Sequence, residues 1–323
     1  MYRISSRVLG LFLIVALFVL SGSACSFQKD DALTATLPER QMEAVDAALE
    51  YILAQQGDEG SFGGDAGITL DAVLAGAAVG EDVSSWRTAE SNPTPLEYLA
   101  ANWEGYAMDA AGTGKLVVGL AAADRDPHDF GGEDFVQRIA SFDVEGVGRL
   151  GGSATEQAWG MLALAAAEAS VTQEMVEVLI DLQEPSGGWE FAPDSEADSN
   201  TTALALQALV AAGVKVEDPS IVDGLDFLGT QQSDTGGFVY STAYGAADAD
   251  ANSTAYCLQA LIATGEDASS EEWLVDGNSA MDALLSFQRE NGAFEWQAGE
   301  GENLLATAQA VPALLGKPLP HLP

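Results

Sequence analysis

The sequence predicts an all-α protein, an α6/α6 toroid in which six helix-pair repeats close into two concentric rings. Three observations carry that expectation: a recurring capped helix that is apolar all round, a second amphipathic helix before it, and a recurring Gln-x-x-x-Gly-x-aromatic turn between the two.

The clearest copies of the apolar helix run from Asp198 to Leu209 and from Asp250 to Leu261, and most of their positions are identical. The pattern starts again at Asp65, Asp109, Ser153 and Asn303, so the six starts lie 44, 44, 45, 52 and 53 residues apart. Each start is a side chain that accepts hydrogen bonds from the free N–H groups of a helix's first turn. Thr69, Thr113, Thr202, Thr254 and Thr307 stand four residues further on, and Gln157 takes that place in the third copy. Ala, Leu and Val then fill every side, as in Ala203 to Ala212, and such a helix is buried on every side.

The second helix has two faces. Thr172 to Gln183 sets Met175, Val178, Leu179 and Leu182 on one side, with Glu174, Glu177 and Asp181 opposite, the pattern of a helix covered on one side. The turn signature occurs as Gln56/Gly60/Phe62, Gln183/Gly187/Trp189, Gln232/Gly236/Phe238 and Gln288/Gly292/Phe294. Glycine supplies the left-handed conformation that ends a helix, the aromatic anchors the turn in the core, and Gln is expected to satisfy stranded helix-end carbonyls. Repeats two and three lack the signature, and their outer helices are placed at Leu96 to Glu104 and Asp134 to Phe142. An open solenoid needs polar capping repeats, yet the last inner helix, Thr307 to Leu315, is as apolar as the middle ones. Closure follows, with all inner-helix N-termini on one rim.

Ahead of the repeats lies a targeting segment. Arg3 and Arg7 precede an apolar run from Val8 to Leu20, and Ser21-Gly22-Ser23-Ala24 leads into Cys25. Residues 1–24 read as a signal peptide, Cys25 as a lipidation site opening a linker over 25–38, and 39–323 as the toroid. The small residues before Cys25 resemble the lipobox of bacterial lipoproteins, departing from it at Gly22. The protein is expected to be extracytoplasmic and membrane-anchored, or secreted. Cys257, in an apolar helical setting, reads as an inert buried thiol.

Composition narrows the function. Fifty acidic residues against twelve Lys and Arg, with Lys215 the sole Lys or Arg between Arg149 and Arg289, exclude nucleic-acid binding.

The four Gln-Gly turns resemble the QW repeats of squalene cyclases and protein prenyltransferase β-subunits, over roughly residues 41 to 316. The resemblance implies the α/α toroid. The ending from Ala306 to Lys317 is also similar to the last helix of the cobalamin carriers transcobalamin and intrinsic factor. That likeness implies ligand contacts on the rim at Asp198, Asn200, Asp250, Asn252 and Asn303. Carriers cover the other face of the corrin with a small β-domain, so a separate β-domain partner protein is an expectation of this reading.

The enzymatic readings of the resemblance fail on their own residues. Type II cyclases use an Asp-x-Asp-Asp acid, whereas the run here is Asp248-Ala249-Asp250-Ala251-Asn252. Full cyclases are expected to need two toroids. Prenyltransferases need a zinc site of Asp, Cys and His and a cationic diphosphate clamp, and neither pattern is present. Gly112-Thr113-Gly114-Lys115-Leu116 departs from a P-loop at both ends. The runs Asp194-x-Glu196-x-Asp198 and Asp248-x-Asp250-x-Asn252 lack the Gly and the final Glu of a calcium loop, and they read as helix caps, so no metal is expected.

Tyr240, Tyr244 and Trp296 follow the Gln-Gly turns closely enough to line a pocket, while Trp189 reads as a turn anchor. A rim of amides, carboxylates and aromatics suits a corrinoid or similar amphipathic molecule, with no cofactor required and no catalytic residue assigned. Two alternatives stand beside that binding protein: a diverged terpenoid cyclase-like or carbohydrate-active enzyme, and an interaction module using its acidic outer face.

Overall fold

The computed structural model describes residues 39–143, 145–245 and 248–321. The expected signal peptide, the expected lipidation site Cys25 and the expected linker lie outside the described residues. Among the described residues there are twelve α-helices: α1 (Glu39–Ala54), α2 (Ala66–Val79), α3 (Pro95–Asn102), α4 (Ala110–Ala122), α5 (Phe135–Ser141), α6 (Ala154–Ala166), α7 (Gln173–Asp181), α8 (Ser199–Ala211), α9 (Pro219–Thr230), α10 (Ala251–Ala263), α11 (Ala280–Ser286) and α12 (Leu304–Leu314).

The even-numbered helices form the inner ring. Each packs on the next, from α2 through α4, α6, α8 and α10 to α12, and α12 returns to α2. The odd-numbered helices lie outside; α5 touches α4 and α6, α7 touches α6 and α8, and α1 touches α12 and α2. The barrel is therefore closed, and the last repeat is covered by the first.

Local chemistry explains each inner helix. Asp65, Asp109, Ser153, Asp198, Asp250 and Asn303 all cap, accepting from an N–H three residues on at 2.8–3.2 Å. The Thr four residues after the cap has a different task from capping. Thr69, Thr202, Thr254 and Thr307 accept the N–H of Phe62, Trp189, Phe238 and Phe294, pinning each aromatic turn to the helix that follows. Gln157 does the same for Leu150, which replaces the aromatic in the third repeat.

The turn glutamines do donate to backbone carbonyls, but to those of their own turn and of the following segment. Gln183 donates to Gly187 O at 2.7 Å and to Ser220 O in α9 at 2.9 Å; Gln232 reaches Trp273 O, and Gln288 reaches Ala44 O in α1. Each thus ties its turn to the next outer element, and the last of these bonds closes the ring. Gly187, at φ +89°, comes so near that a Cβ there would sit 2.3 Å from Asp223 O. Only glycine fits. Trp189 is fully buried and donates from Nε1 to Leu179 O at 2.7 Å.

Two differences from the expected all-helical fold are small. Trp189–Glu190 (β1) pairs with Ala197–Asp198 (β2), and Phe294–Glu295 (β3) with Glu302–Asn303 (β4), in two-residue antiparallel ribbons. They arise because the turn aromatic and the following cap must lie side by side. The expected outer helix at 96–104 ends at Asn102 and continues as a 3-10 turn over Trp103–Gly105.

Candidate functional site

Counting from each cap gives the geometry of the funnel. The positions six residues on are Asp71, Lys115, Trp159, Leu204, Tyr256 and Gln309, one from each inner helix. A helix repeats every 3.6 residues, so positions two and nine after the cap share a face with position six. Contacts connect these levels across the ring. Lys115 Nζ lies 2.6 Å from Asp71 Oδ2, Gln309 donates to Asp71 Oδ1 at 3.4 Å, and Asn252 donates to Gln309 at 2.6 Å. Burial pushes the Asp71 carboxyl up against the pull of Lys115. Burial alone would lower Lys115, but Asp71, Tyr106 and Tyr256 hold it above its ordinary range. Burial raises Tyr256 to about 12.

The far end of the funnel is filled by the chain's own tail. Gln207 accepts from Leu319 N at 2.8 Å, Gln259 donates to Lys317 O at 2.9 Å, and His321 Nε2 lies 3.1 Å from Leu74 O. Those three ring residues all stand nine positions after their caps. Between the tail and the polar ring remains a void of about 20 Å³, lined in part by Asp71, Tyr256, Gln309 and His321. His321 Nδ1 has no hydrogen-bond partner, and burial lowers the imidazole to about 4.

The near end is open. A cavity of about 300 Å³ lies between α6 and α8, lined by Thr155, Trp159, Phe191, Asp198, Asn200, Thr201, Leu204, Tyr240 and Tyr256. Three residues singled out from the sequence, Asp198, Asn200 and Tyr240, share it. Asp198 is fully buried and accepts from the backbone and hydroxyl of Thr201 at 2.8 and 2.9 Å, and also from Tyr240. Burial raises its carboxyl despite these donors, and burial and Asp198 raise the Tyr240 phenol.

The other sequence candidates stand round the same rim, outside this cavity. Tyr244 stacks on Tyr240 with ring centroids 6.3 Å apart. Asp250 caps α10 and is bonded by Ser253 and Trp296, its carboxyl raised by burial. Trp296 O accepts from Ala251 N, Asn252 turns inward to Gln309, and Asn303 caps α12. The acidic run before Asp198 divides: Asp194 and Glu196 face an outer groove of about 610 Å³ with Glu184 and Glu190. Among the described residues there is no metal-ligand cluster. Cys257 is buried, and burial pushes its thiol well up.

Three features escaped the sequence reading. Trp159, Leu204 and Tyr256 carry no local mark in the sequence, and the six-after-cap register singles them out. Lys115 belonged to a rejected phosphate-loop motif, and the same register places it in the funnel. The third is the pair Met108 and Val147, exposed apolar side chains that join Phe191, Tyr240, Tyr244 and Trp296 in a collar along the segments leading into inner helices.

A closed double ring of helices with one sealed and one open end defines the class: an α/α toroid with a rim cavity. The prenyltransferase alpha-alpha toroid domain family model matches residues 156–249 and again 222–315, in agreement with the toroid fold. No curated protein matches the sequence. Among solved structures it is similar to the type II terpene cyclase MstE from Scytonema, at 18% identity and TM-score 0.53, over 86% of this chain and 98% of that one. A protein from Actinoplanes gives 17% and 0.57 over 85% and 99%. Candida albicans protein geranylgeranyltransferase-I gives 10% and 0.55 over 84% and 90%. The likeness is one of fold. It also corrects one argument, since MstE, a type II cyclase, is spanned almost entirely by this single toroid.

Proposed function

We propose that this chain is an extracytoplasmic lipoprotein that binds, without transforming it, a corrinoid or similar large amphipathic ligand laid across the open rim. One observation carries the reading: the funnel interior is occupied by the polar ring and the tail, while apolar surface is exposed around the mouth. Exposed apolar surface gathered on one face marks an interaction site. A cyclase must enclose its polyene in a dry chamber, and the space between ring and tail here holds about 20 Å³. A flat ligand wider than the 300 Å³ cavity would insert one edge there and rest on Tyr244 and Trp296, with Asn200 and Thr155 offering amide and hydroxyl partners.

Native mass spectrometry of the protein purified from membranes tests this directly. A retained corrinoid, or red colour kept through desalting after mixing with cobalamin, supports it; an empty protein that also stays colourless counts against it. The anchoring part rests on Cys25, and Cys25→Ser should leave the protein in the soluble fraction or unprocessed. Fractionation and gel migration both identical to wild type would remove it. The second reading, a terpenoid cyclase-like enzyme, is favoured by the likeness to MstE and by a buried carboxyl, Asp198, beside an aromatic cavity.

A further inference from the structure

The rim cavity has a chemical bias. Its walls carry four aromatic side chains, Trp159, Phe191, Tyr240 and Tyr256, and one carboxylate, Asp198. No cationic side chain lines it. Lys115, which stands in the funnel ring, is committed to Asp71 at 2.6 Å and largely buried. Aromatic faces attract a cation through their quadrupoles, and the attraction grows when the site is shielded from water.

The wider field points the same way. The chain carries a formal charge of −38, and the stretch that builds the cavity between Arg149 and Arg289 contains Lys215 alone as a cation. Such a distribution concentrates cations and depletes anions at the surface. Asp198 is rigidly placed by its bonds from Thr201 and Tyr240, and the same Tyr240 ring forms part of the aromatic wall.

We propose that this cavity receives a positively charged, apolar group, an alkylated or quaternary ammonium, seated against the aromatic walls with Asp198 as counter-charge. The proposal rests on the rim-binding reading and names the group that enters. Neutral tips of the same shape are admitted but held weakly.

The test uses a matched pair on the mature protein: choline and its uncharged carbon isostere 3,3-dimethylbutan-1-ol, followed by calorimetry and Trp fluorescence. Choline should bind about tenfold or more tightly than the isostere, and added salt should narrow the gap. Asp198→Asn preserves helix capping, because Asn caps as well as Asp. It should therefore keep the melting temperature near wild type while removing most of the preference. Trp159→Leu should lower choline affinity with little effect on the isostere. Equal binding of the two compounds overturns the proposal, as does the absence of saturable binding by either. The rim reading is judged separately, by cobinamide binding and its loss in Tyr244→Ala, which neither outcome touches.

Discussion

Ring closure depends on the place where the last Gln-Gly turn meets the first helix, and a single methyl group there probes it. Gly292 has φ +88°, and a Cβ built on it would lie 2.1 Å from Ala47 O and 2.5 Å from Ala47 C, both backbone atoms of α1. Gly213, just after α8, has nearly the same backbone at φ +85° with nothing within 4 Å. Gly213→Ala therefore measures the left-handed strain alone, about 1–2 kcal/mol, partly offset by a stiffer unfolded chain worth about 0.4–1 kcal/mol. Gly292→Ala adds overpacking of about 1–3 kcal/mol. The helix cannot retreat cheaply, because Gln288 holds Ala44 O at 2.7 Å. Urea unfolding should place Gly292→Ala about 1–3 kcal/mol below Gly213→Ala at unchanged slope. Equal losses would mean that α1 does not seal the ring against the last repeat.

Two further outcomes follow from the buried polar groups. Lys115→Met leaves Asp71 buried without its counter-ion and should cost about 3–5 kcal/mol, whereas Asp71→Leu with Lys115→Met should recover most of that loss; a double variant as unstable as the single one would contradict the pairing. His321 is neutral in the fold, its value falling from 6.5 to about 4, so the released tail takes up a proton first. Its stabilising contribution is complete above pH 6.5 and shrinks as pH falls towards 4, by about 3 kcal/mol at most. Compared with His321→Gln, which keeps the donor to Leu74 O, wild type should lose stability between pH 7 and 4.5; a constant difference would place the imidazole in water. The comparison with the variant matters because Asp71, Asp198 and Asp250 are raised by burial and titrate in the opposite sense.

Much of the fold was legible because repetition averages out local ambiguity. Asp198 and Asp250 announced helix starts, Trp189 and Phe294 announced turns, and the apolar run in Thr307 to Leu315 announced closure. What the Gln and Thr of each repeat do was not legible, since both serve partners distant in sequence: Gln288 reaches Ala44 across the whole chain. The site was half legible. Asp198, Asn200 and Tyr240 line one cavity, while Tyr244, Asp250, Asn252, Trp296 and Asn303 lie outside it. Trp159 and Tyr256 were hidden among apolar neighbours, and only the ring geometry distinguishes a side chain facing the axis from one facing the next helix. The tail's return into the funnel has no local signal; His321 and Leu319 find Leu74 and Gln207 only once the ring has closed.

Calorimetric titration of the mature protein with cobinamide, alongside incubation with a geranylgeranyl-bearing substrate, tests the central claim. The account predicts saturable one-to-one heat with the corrinoid, weakened by Tyr244→Ala at unchanged melting temperature, and no change in the prenyl compound. Absence of heat together with a cyclised product would contradict it and make the toroid a catalyst.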